Sequence, residues 1–74
     1  MTDTYTERLS FTSSKIKGRD DSDRLEDGLS GLEGVRDVEV KTNAHTVEVV
    51  YDPTVISASA LQSEVEQLGY TIDS

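Results

Sequence analysis

Hydrophobic and polar residues alternate in three stretches of the chain, as they do on half-buried β-strands. In residues 7–13, Leu9 and Phe11 lie on one side, and this pattern predicts a first strand. Two later stretches, joined by the polar residues 42–45, predict an antiparallel hairpin. Their apolar positions are Val35, Val38 and Val40 in the second strand, and Val47, Val49 and Tyr51 in the third.

Two other stretches repeat apolar residues at the i, i+4 and i+7 spacing of one helix face. These residues are Leu25, Leu29 and Leu32 in the first stretch, and Leu61, Val65 and Leu68 in the second. Residues 20–22 are good N-cap types whose acidic members suit the positive end of the helix dipole, so we expect the first helix to start there, just before Asp23. Ser57 is the expected N-cap of the second helix, and Gly34 and Gly69 are expected to end the two helices.

A short stretch at residues 70–72 predicts a fourth strand, which completes the order βαββαβ. Two similar β-α-β halves are typical of the ferredoxin-like α+β sandwich, an antiparallel four-stranded sheet with two helices on one face. We expect residues 1–6 to be frayed and residues 7–74 to form one domain. The other face of the sheet should be polar and solvated, and its expected residues are Arg8, Ser10, Thr12, Glu39, Lys41, Thr46 and Glu48.

The composition excludes several classes of protein. The chain has 74 residues with 34% hydrophobic content, enough for one small core. It contains no cysteine, which excludes disulfides, thiolate chemistry and cysteine-based zinc or iron-sulfur sites. No stretch approaches the roughly 18 apolar residues of a membrane span, and the first residues lack the pattern of a signal peptide. We therefore expect a cytoplasmic protein without membrane insertion.

The chain is strongly acidic, with 15 acidic residues, 7 basic residues and a formal net charge of -8. A phosphate-rich surface would repel it, so nucleic acid is not an expected partner. Three bases nevertheless lie close together, at Lys15, Lys17 and Arg19. The excess of acids suits a high-salt cytoplasm, where charge repulsion is screened, as well as it suits an ordinary acidic domain. Composition alone leaves both origins open.

Three motifs in the chain also occur together in a known family. They are Leu32-x-Gly34-Val35-x-x-Val38-x-Val40, then Val47-x-Val49-x-Tyr51-Asp52-Pro53, and last Leu61-x-x-x-Val65-x-x-Leu68-Gly69-Tyr70. With these motifs, residues 9–72 resemble the heavy-metal-associated domains, the modules of copper chaperones and of the N-terminal regions of metal-transporting P-type ATPases. The resemblance implies the same ferredoxin-like fold.

The family's metal-binding loop corresponds by this resemblance to residues 15–21. In the family the loop reads Gly-Met-Thr-Cys-x-x-Cys, and counting back from Gly34-Val35 aligns it with Lys15-Ile16-Lys17-Gly18-Arg19-Asp20-Asp21. Gly18 and Asp21 then occupy the cysteine positions, and Ile16 matches the Met as an apolar plug. Because Cu(I) is selected by sulfur ligands and the only sulfur here belongs to Met1, we expect neither soft-metal carriage nor a cofactor.

Two binding functions are alternatives for this segment. One is a hard divalent cation held by carboxylates, with Asp20, Asp21 and Asp23 as candidate ligands, although their spacing is not that of an EF-hand. The other is an anion or phosphate site at residues 15–21, because basic residues there precede a helix N-terminus. Acylphosphatases use such a loop on this topology, but the sequence does not otherwise resemble theirs.

The main prediction is a metal-independent protein-interaction or regulatory module, in which charge complementarity replaces a bridging metal. Its expected partner-binding residues are Lys15, Lys17, Gly18, Arg19, Asp20 and Asp21, with Tyr70, which the resemblance places beside the loop. His45 is expected to lie in the hairpin far from that loop. Since no nucleophile is paired with a base, we expect no enzymatic activity. We expect a monomer that binds a protein partner, which the sequence does not identify.

Overall fold

The computed structural model describes residues 5–73, so residues 1–4 of the expected frayed segment 1–6 lie outside it. The elements follow the order β-α-β-β-α. Their bounds are β1 Glu7–Thr12, α1 Arg19–Ser30, β2 Val35–Lys41, a 3-10 turn Thr42–Ala44, β3 Thr46–Tyr51 and α2 Ala58–Gln67. The strands form an antiparallel sheet in the order β1-β3-β2, with β3 in the centre.

Strand register puts the alternating apolar residues on one face of this sheet. Val47 of β3 is paired with Phe11 of β1 and Val40 of β2, and Val49 is paired in the same way with Leu9 and Val38. Both β3 valines are fully buried. A bulge between Val35 and Asp37 adds one residue to β2, which explains the irregular spacing of its valines.

Both helices contribute their predicted apolar stripes to this core. Leu25 and Leu29 of α1 and Leu61 and Val65 of α2 are fully buried. The helices approach closely at Gly28, where an added Cβ would lie 2.8 Å from a methyl group of Leu68. Gly28 therefore permits a helix contact that a larger residue would obstruct.

Three predicted helix boundaries have different outcomes. Ser57 is the N-cap of α2, and its hydroxyl accepts a hydrogen bond from the Ala60 N–H at 3.1 Å, which confirms the prediction. The predicted start of α1 is wrong, because the helix begins at Arg19 with Gly18 as its N-cap residue. The predicted end at Gly34 is also wrong, because α1 ends at Ser30 with Gly31 as its C-cap residue. Gly34 lies beyond the helix, in a turn with a φ of 97°, where a Cβ would meet Val55 at 2.9 Å.

The predicted four-stranded sheet is not confirmed, because the structure of residues 5–73 contains three strands and residues 70–73 are not a strand. The segment is instead joined to the end of β1 by point contacts. The Asp73 N–H donates to the Thr12 carbonyl at 2.7 Å, and the Asp73 carboxylate accepts from the Ser14 N–H at 2.8 Å. With Tyr70 and Ile72 also packed on the core, these contacts fix the segment without a strand ladder.

The sheet face opposite the helices is largely polar, as predicted. Arg8, Ser10, Glu39 and Lys41 are exposed there. Neither helix in the described range 5–73 has the length and apolar character needed to cross a membrane.

Candidate functional site

The segment 15–21 connects β1 to the first turn of α1, and Ile16 anchors it in the hydrophobic core. This side chain is fully buried in the core, as predicted for the apolar plug. A tight turn precedes it, because the Ile16 N–H donates to the Ser13 carbonyl at 3.1 Å. The buried core thus fixes one point of the segment, while Lys15 and Lys17 on either side are exposed.

Asp21 is the most connected side chain of the segment. Its Oδ2 accepts a hydrogen bond from the Lys17 N–H at 3.0 Å, and its Oδ1 accepts one from the Tyr70 hydroxyl at 2.6 Å. The Tyr70 hydroxyl, followed by the backbone N–H groups of Lys17 and Gly18, lowers the pKa of Asp21 below its ordinary value. We call this set, Asp21 with Lys17, Gly18 and Tyr70, the Asp21 latch.

The latch also explains why α1 starts earlier than predicted. Glycine at the N-cap has no side chain to accept from the first helical N–H groups. Asp21 is the third residue of the helix, and it reaches back to the N–H groups that precede the first turn, as the acidic member of a capping box does. Its charge also lies at the positive end of the helix dipole.

Tyr70 is the fixed end of the latch. Its side chain is only 4% exposed, and its N–H donates to the Val65 carbonyl at 3.3 Å. Gly69, with a φ of 103°, turns the chain after α2 and directs Tyr70 toward α1. Burial, and then the hydrogen bond to Asp21, raises the pKa of Tyr70 to about 12. The phenol is therefore neutral and donates to a charged carboxylate at neutral pH.

The three bases of the segment are exposed around this fixed centre. Lys15, Lys17 and Arg19 all have exposed side chains. The salt bridges within residues 5–73 are Arg36 to Asp52 at 4.0 Å and Lys41 to Glu48 at 3.5 Å, so they do not involve these bases. Their charges are available to a binding partner.

His45 lies beside the segment, so the prediction that it is remote is wrong. Its Nδ1 is 2.6 Å from the Ile16 carbonyl oxygen, and its own carbonyl accepts from the Ser13 N–H at 2.8 Å. Because a carbonyl oxygen only accepts, Nδ1 is the donor. The cause is the pairing of β1 with β3, in which Thr12 is opposite Thr46. The sequence signal was the position of His45 immediately before β3, but it is informative only once that pairing is known.

The three candidate carboxylates for a hard cation have different surroundings. Asp20 and Asp23 are exposed, whereas both oxygens of Asp21 accept hydrogen bonds within the protein. Asp23 lines a groove of about 390 Å³ between α1 and β2, together with Glu26, Asp27, Ser30, Arg36, Asp37 and Val38. Across residues 5–73, no three His, Asp or Glu side chains converge in an arrangement that could hold a metal ion.

The Asp21 carboxylate also argues against an anion or phosphate site in this loop. An external phosphate would need free backbone N–H groups in the loop just before α1 and at its start. The Lys17 N–H already donates to Asp21, and the Gly18 N–H contributes to the lowered pKa of the same carboxylate. A negative charge from the chain itself thus occupies this position.

Residues 22–71 match the family described as the heavy-metal-associated domain. The matched stretch begins one residue after Asp21, so it includes α1 from residue 22 onward, β2, β3 and α2, but neither β1 nor the segment 15–21. The similarity is therefore carried by the scaffold and not by the loop.

Known proteins with similar sequences are copper-transporting ATPases. The chain is 39% identical over 49 residues to a copper-exporting P-type ATPase of Bacillus subtilis, covering 66% of this chain and 6% of that protein. It is 36% identical over 48 residues to copper-transporting ATPase 2 of Rattus norvegicus, covering 65% of this chain and 3% of that protein. The chain thus corresponds to a small part of the curated relatives it matches.

A solved structure extends the similarity to nearly the whole chain. The water-soluble region of the P-type ATPase CopA from Bacillus subtilis has a TM-score of 0.89 and 30% identity, over 96% of this chain and 47% of that one. The alignment therefore includes β1, which the family match at residues 22–71 leaves out.

The residues at the two positions that resemble the cysteine sites do not fit a soft metal such as copper. Gly18 has no side chain, and Asp21 offers hard oxygen donors that already accept hydrogen bonds from Lys17 and Tyr70. A sulfur ligand is not present anywhere in residues 5–73. The scaffold matches copper-related proteins, but the donor set does not.

Proposed function

This chain belongs to the heavy-metal-associated domain family, and from that premise we propose that it is a metal-independent protein-binding or regulatory module related to metal-transport and chaperone domains. The binding surface is the segment 15–21, and the buried Tyr70 supports it from the core through its hydrogen bond to Asp21. The partner is a protein with an acidic surface that accepts Lys15, Lys17 and Arg19. The module is monomeric, cytoplasmic and not an enzyme.

One observation carries this proposal: the position of the second family cysteine holds Asp21, whose two oxygens are bonded to Lys17 and Tyr70. A carboxylate used in this way is a poor cation ligand, because a cation would have to compete with two charge-assisted hydrogen bonds for the lone pairs of its oxygens. The exposed bases beside it favour an acidic partner despite the overall charge of -8.

The acidic groove at Asp23 supports the hard-cation alternative only weakly. Carboxylates of Glu26, Asp27 and Asp37 also line it, which is the donor type that Ca²⁺ and Mg²⁺ prefer. Arg36 lines the same groove, and its charge opposes a cation there. We keep this alternative as an outcome of the first test.

The first test follows backbone amide NMR shifts while Cu(I), Zn²⁺, Ca²⁺ and phosphate are added in turn. We expect no saturable shift at residues 15–23 with any of them. Saturable shifts at Asp20, Asp21 and Asp23 with one cation would contradict the proposal and support the carboxylate site. Shifts with phosphate at Lys15, Lys17 and Arg19 would support the anion site instead.

The second test compares charge reversals in a capture experiment from the native cell extract. The variant Lys15→Glu/Lys17→Glu/Arg19→Glu should lose proteins that the unmodified domain retains in the presence of EDTA. The matched control compares the single reversals Arg8→Glu, at an exposed base away from the segment, and Lys15→Glu, within it; Arg36 and Lys41 stay unchanged because they pair with Asp52 and Glu48. Equal loss in both variants would show general charge attraction and would exclude a specific surface at residues 15–21.

A further inference from the structure

The Asp21 latch joins three parts of the chain that are distant in sequence or in different elements. The carboxylate belongs to the first turn of α1, the Lys17 N–H belongs to the loop, and the Tyr70 hydroxyl lies 49 residues away in the C-terminal segment. Each contact is a hydrogen bond to a charged acceptor, which is stronger than one between neutral groups.

We propose that the Asp21 carboxylate holds the segment 15–21 in a single conformation without any bound ion, by tying it to the buried Tyr70. In a domain with ligands on a flexible loop, a bound metal supplies such a tie. Here the chain supplies it, because one carboxylate bridges the loop and a core-packed phenol.

The latch can restrain the segment because Ile16 is a second residue at which the segment is fixed to the core. Ile16 is buried, so the chain is already fixed one residue before Lys17. Gly18 adds backbone freedom between that point and α1, and a Cβ there would meet nothing within 4 Å. The hydrogen bond from the Lys17 N–H to Asp21 restricts this freedom, because it joins the residue before Gly18 to the first turn of α1.

The use of the latch in binding rests on the function proposed above. Lys17 and Arg19 lie on either side of Gly18, so the latch fixes their backbone positions before a partner binds. A preset loop loses less conformational entropy on binding than a flexible one. The latch therefore acts on the affinity of the basic surface without touching the partner.

Amide hydrogen exchange of the isolated domain in EDTA tests the latch directly. The protection of the Lys17 amide should fall about tenfold in Asp21→Asn, the order expected when a hydrogen bond to a charged acceptor is weakened. Tyr70→Phe keeps the buried ring but removes the hydroxyl, so it should lower the same protection while amides of β3 exchange as before.

Two matched controls separate the latch from general effects. Asp20→Asn makes the same charge change one residue away, at an exposed side chain. Tyr51→Phe removes another phenol that donates to a carboxylate, that of Glu7 at 3.2 Å. Both controls should leave the protection of the Lys17 amide within about twofold of the unmodified domain.

Three results would overturn the latch. The first is rapid exchange of the Lys17 amide in the unmodified domain in EDTA. The second is protection that rises only after Cu(I), Zn²⁺ or Ca²⁺ is added. The third is equal protection in Asp21→Asn, Tyr70→Phe and the controls. Because these measurements need no partner, they can fail while the charge-reversal test succeeds, and the reverse also holds.

Discussion

At the scale of single residues, the pKa values of Asp21 and Tyr70 shift in opposite directions from their ordinary values, and the hydrogen bond between the two groups contributes to both shifts. The bond lowers the pKa of the carboxylate, whereas burial and the bond raise the pKa of the phenol to about 12. Asp21 therefore stabilises the fold above its unfolded pKa, near 3.8, and this contribution is lost as pH falls through the lower folded value. Tyr70 limits stability at the alkaline end instead.

Replacing Tyr70 with Phe should make the melting temperature less sensitive to alkaline pH. The unfolded phenol ionises near 10.0, whereas the folded phenol stays neutral up to about 12, so its contribution is complete below pH 10 and lost between these values. Thermal melts followed by circular dichroism from pH 8 to 11.5 measure the difference. We expect a smaller decrease of the melting temperature in Tyr70→Phe than in the unmodified domain. Equal decreases would contradict the raised pKa of Tyr70.

The residues of the candidate site were predictable only in part. Ile16 could be assigned to the core because the family resemblance aligns it with the Met that serves as an apolar plug. The partners of Asp21 could not, since a side-chain hydrogen bond depends on where the helix starts and on a tyrosine 49 positions away. His45 was placed wrongly because its neighbours are set by the pairing of β1 with β3, which alternation alone does not give.

At the scale of elements, apolar periodicity predicted both helices and the three observed strands. Periodicity indicates which residues face the core, and this signal is strong because it repeats along the whole element. Boundaries depend on a few local hydrogen bonds, which is why Asp21 extends α1 to Arg19. Residues 70–72 alternate like a strand. However, burial of Tyr70 and the hydrogen bonds of Asp73 hold the segment in place without the hydrogen-bond ladder of a strand.

The two glycines of the first helical stretch should respond differently to alanine. At Gly28 a Cβ would lie 2.8 Å and 2.9 Å from the Leu68 methyl groups, whereas at Gly31 the nearest atom is 3.6 Å away and φ is -78°. We expect Gly31→Ala to stabilise the domain by about 0.4–1 kcal/mol, because alanine restricts the unfolded chain. In Gly28→Ala the gain in helix propensity is offset by overpacking of about 1–3 kcal/mol.

Urea denaturation of both variants measures this contrast. The free energy of unfolding of Gly28→Ala should be lower than that of Gly31→Ala by about 1 kcal/mol or more. Equal stabilisation by both substitutions would mean that Leu68 moves aside freely. The close approach of α1 and α2 would then not require a glycine.

The open face of the sheet contains an unfavourable charge pair. Glu39 of β2 and Glu48 of β3 are directly opposite each other, and Lys41 lies 3.5 Å from Glu48 and only partly compensates for the repulsion. We expect Glu39→Gln to stabilise the domain by about 0.2–1 kcal/mol at low salt. Glu33→Gln makes the same change of net charge at an exposed turn and is the control.

The same urea titrations, repeated in 1 M KCl, identify the origin of this effect. Screening should abolish most of the gain from Glu39→Gln, since the Debye length falls to about 3 Å in 1 M salt. A gain that persists at high salt would show better packing of the neutral side chain. An equal gain in Glu33→Gln would show relief of net charge alone.

At the scale of the whole molecule, the net charge of -8 on 74 residues opposes the compact state. The acids occur on several surfaces, including the groove lined by Asp23, Asp27 and Asp37 and the open face with Glu39. A small core of this size offers limited stabilisation against such repulsion. The stability of this domain should therefore depend strongly on salt.

Thermal melts in KCl from low concentration to several molar test this dependence and the two origins of the acidic composition. We expect the melting temperature to rise up to about 1 M, where screening between surface charges is nearly complete. A plateau beyond that point is the behaviour of an ordinary acidic domain, whereas a continued rise indicates a surface adapted to a high-salt cytoplasm. The double variant Glu33→Gln/Glu39→Gln should show a smaller initial rise because it has less charge to screen. A melting temperature independent of KCl would contradict the role assigned to charge repulsion.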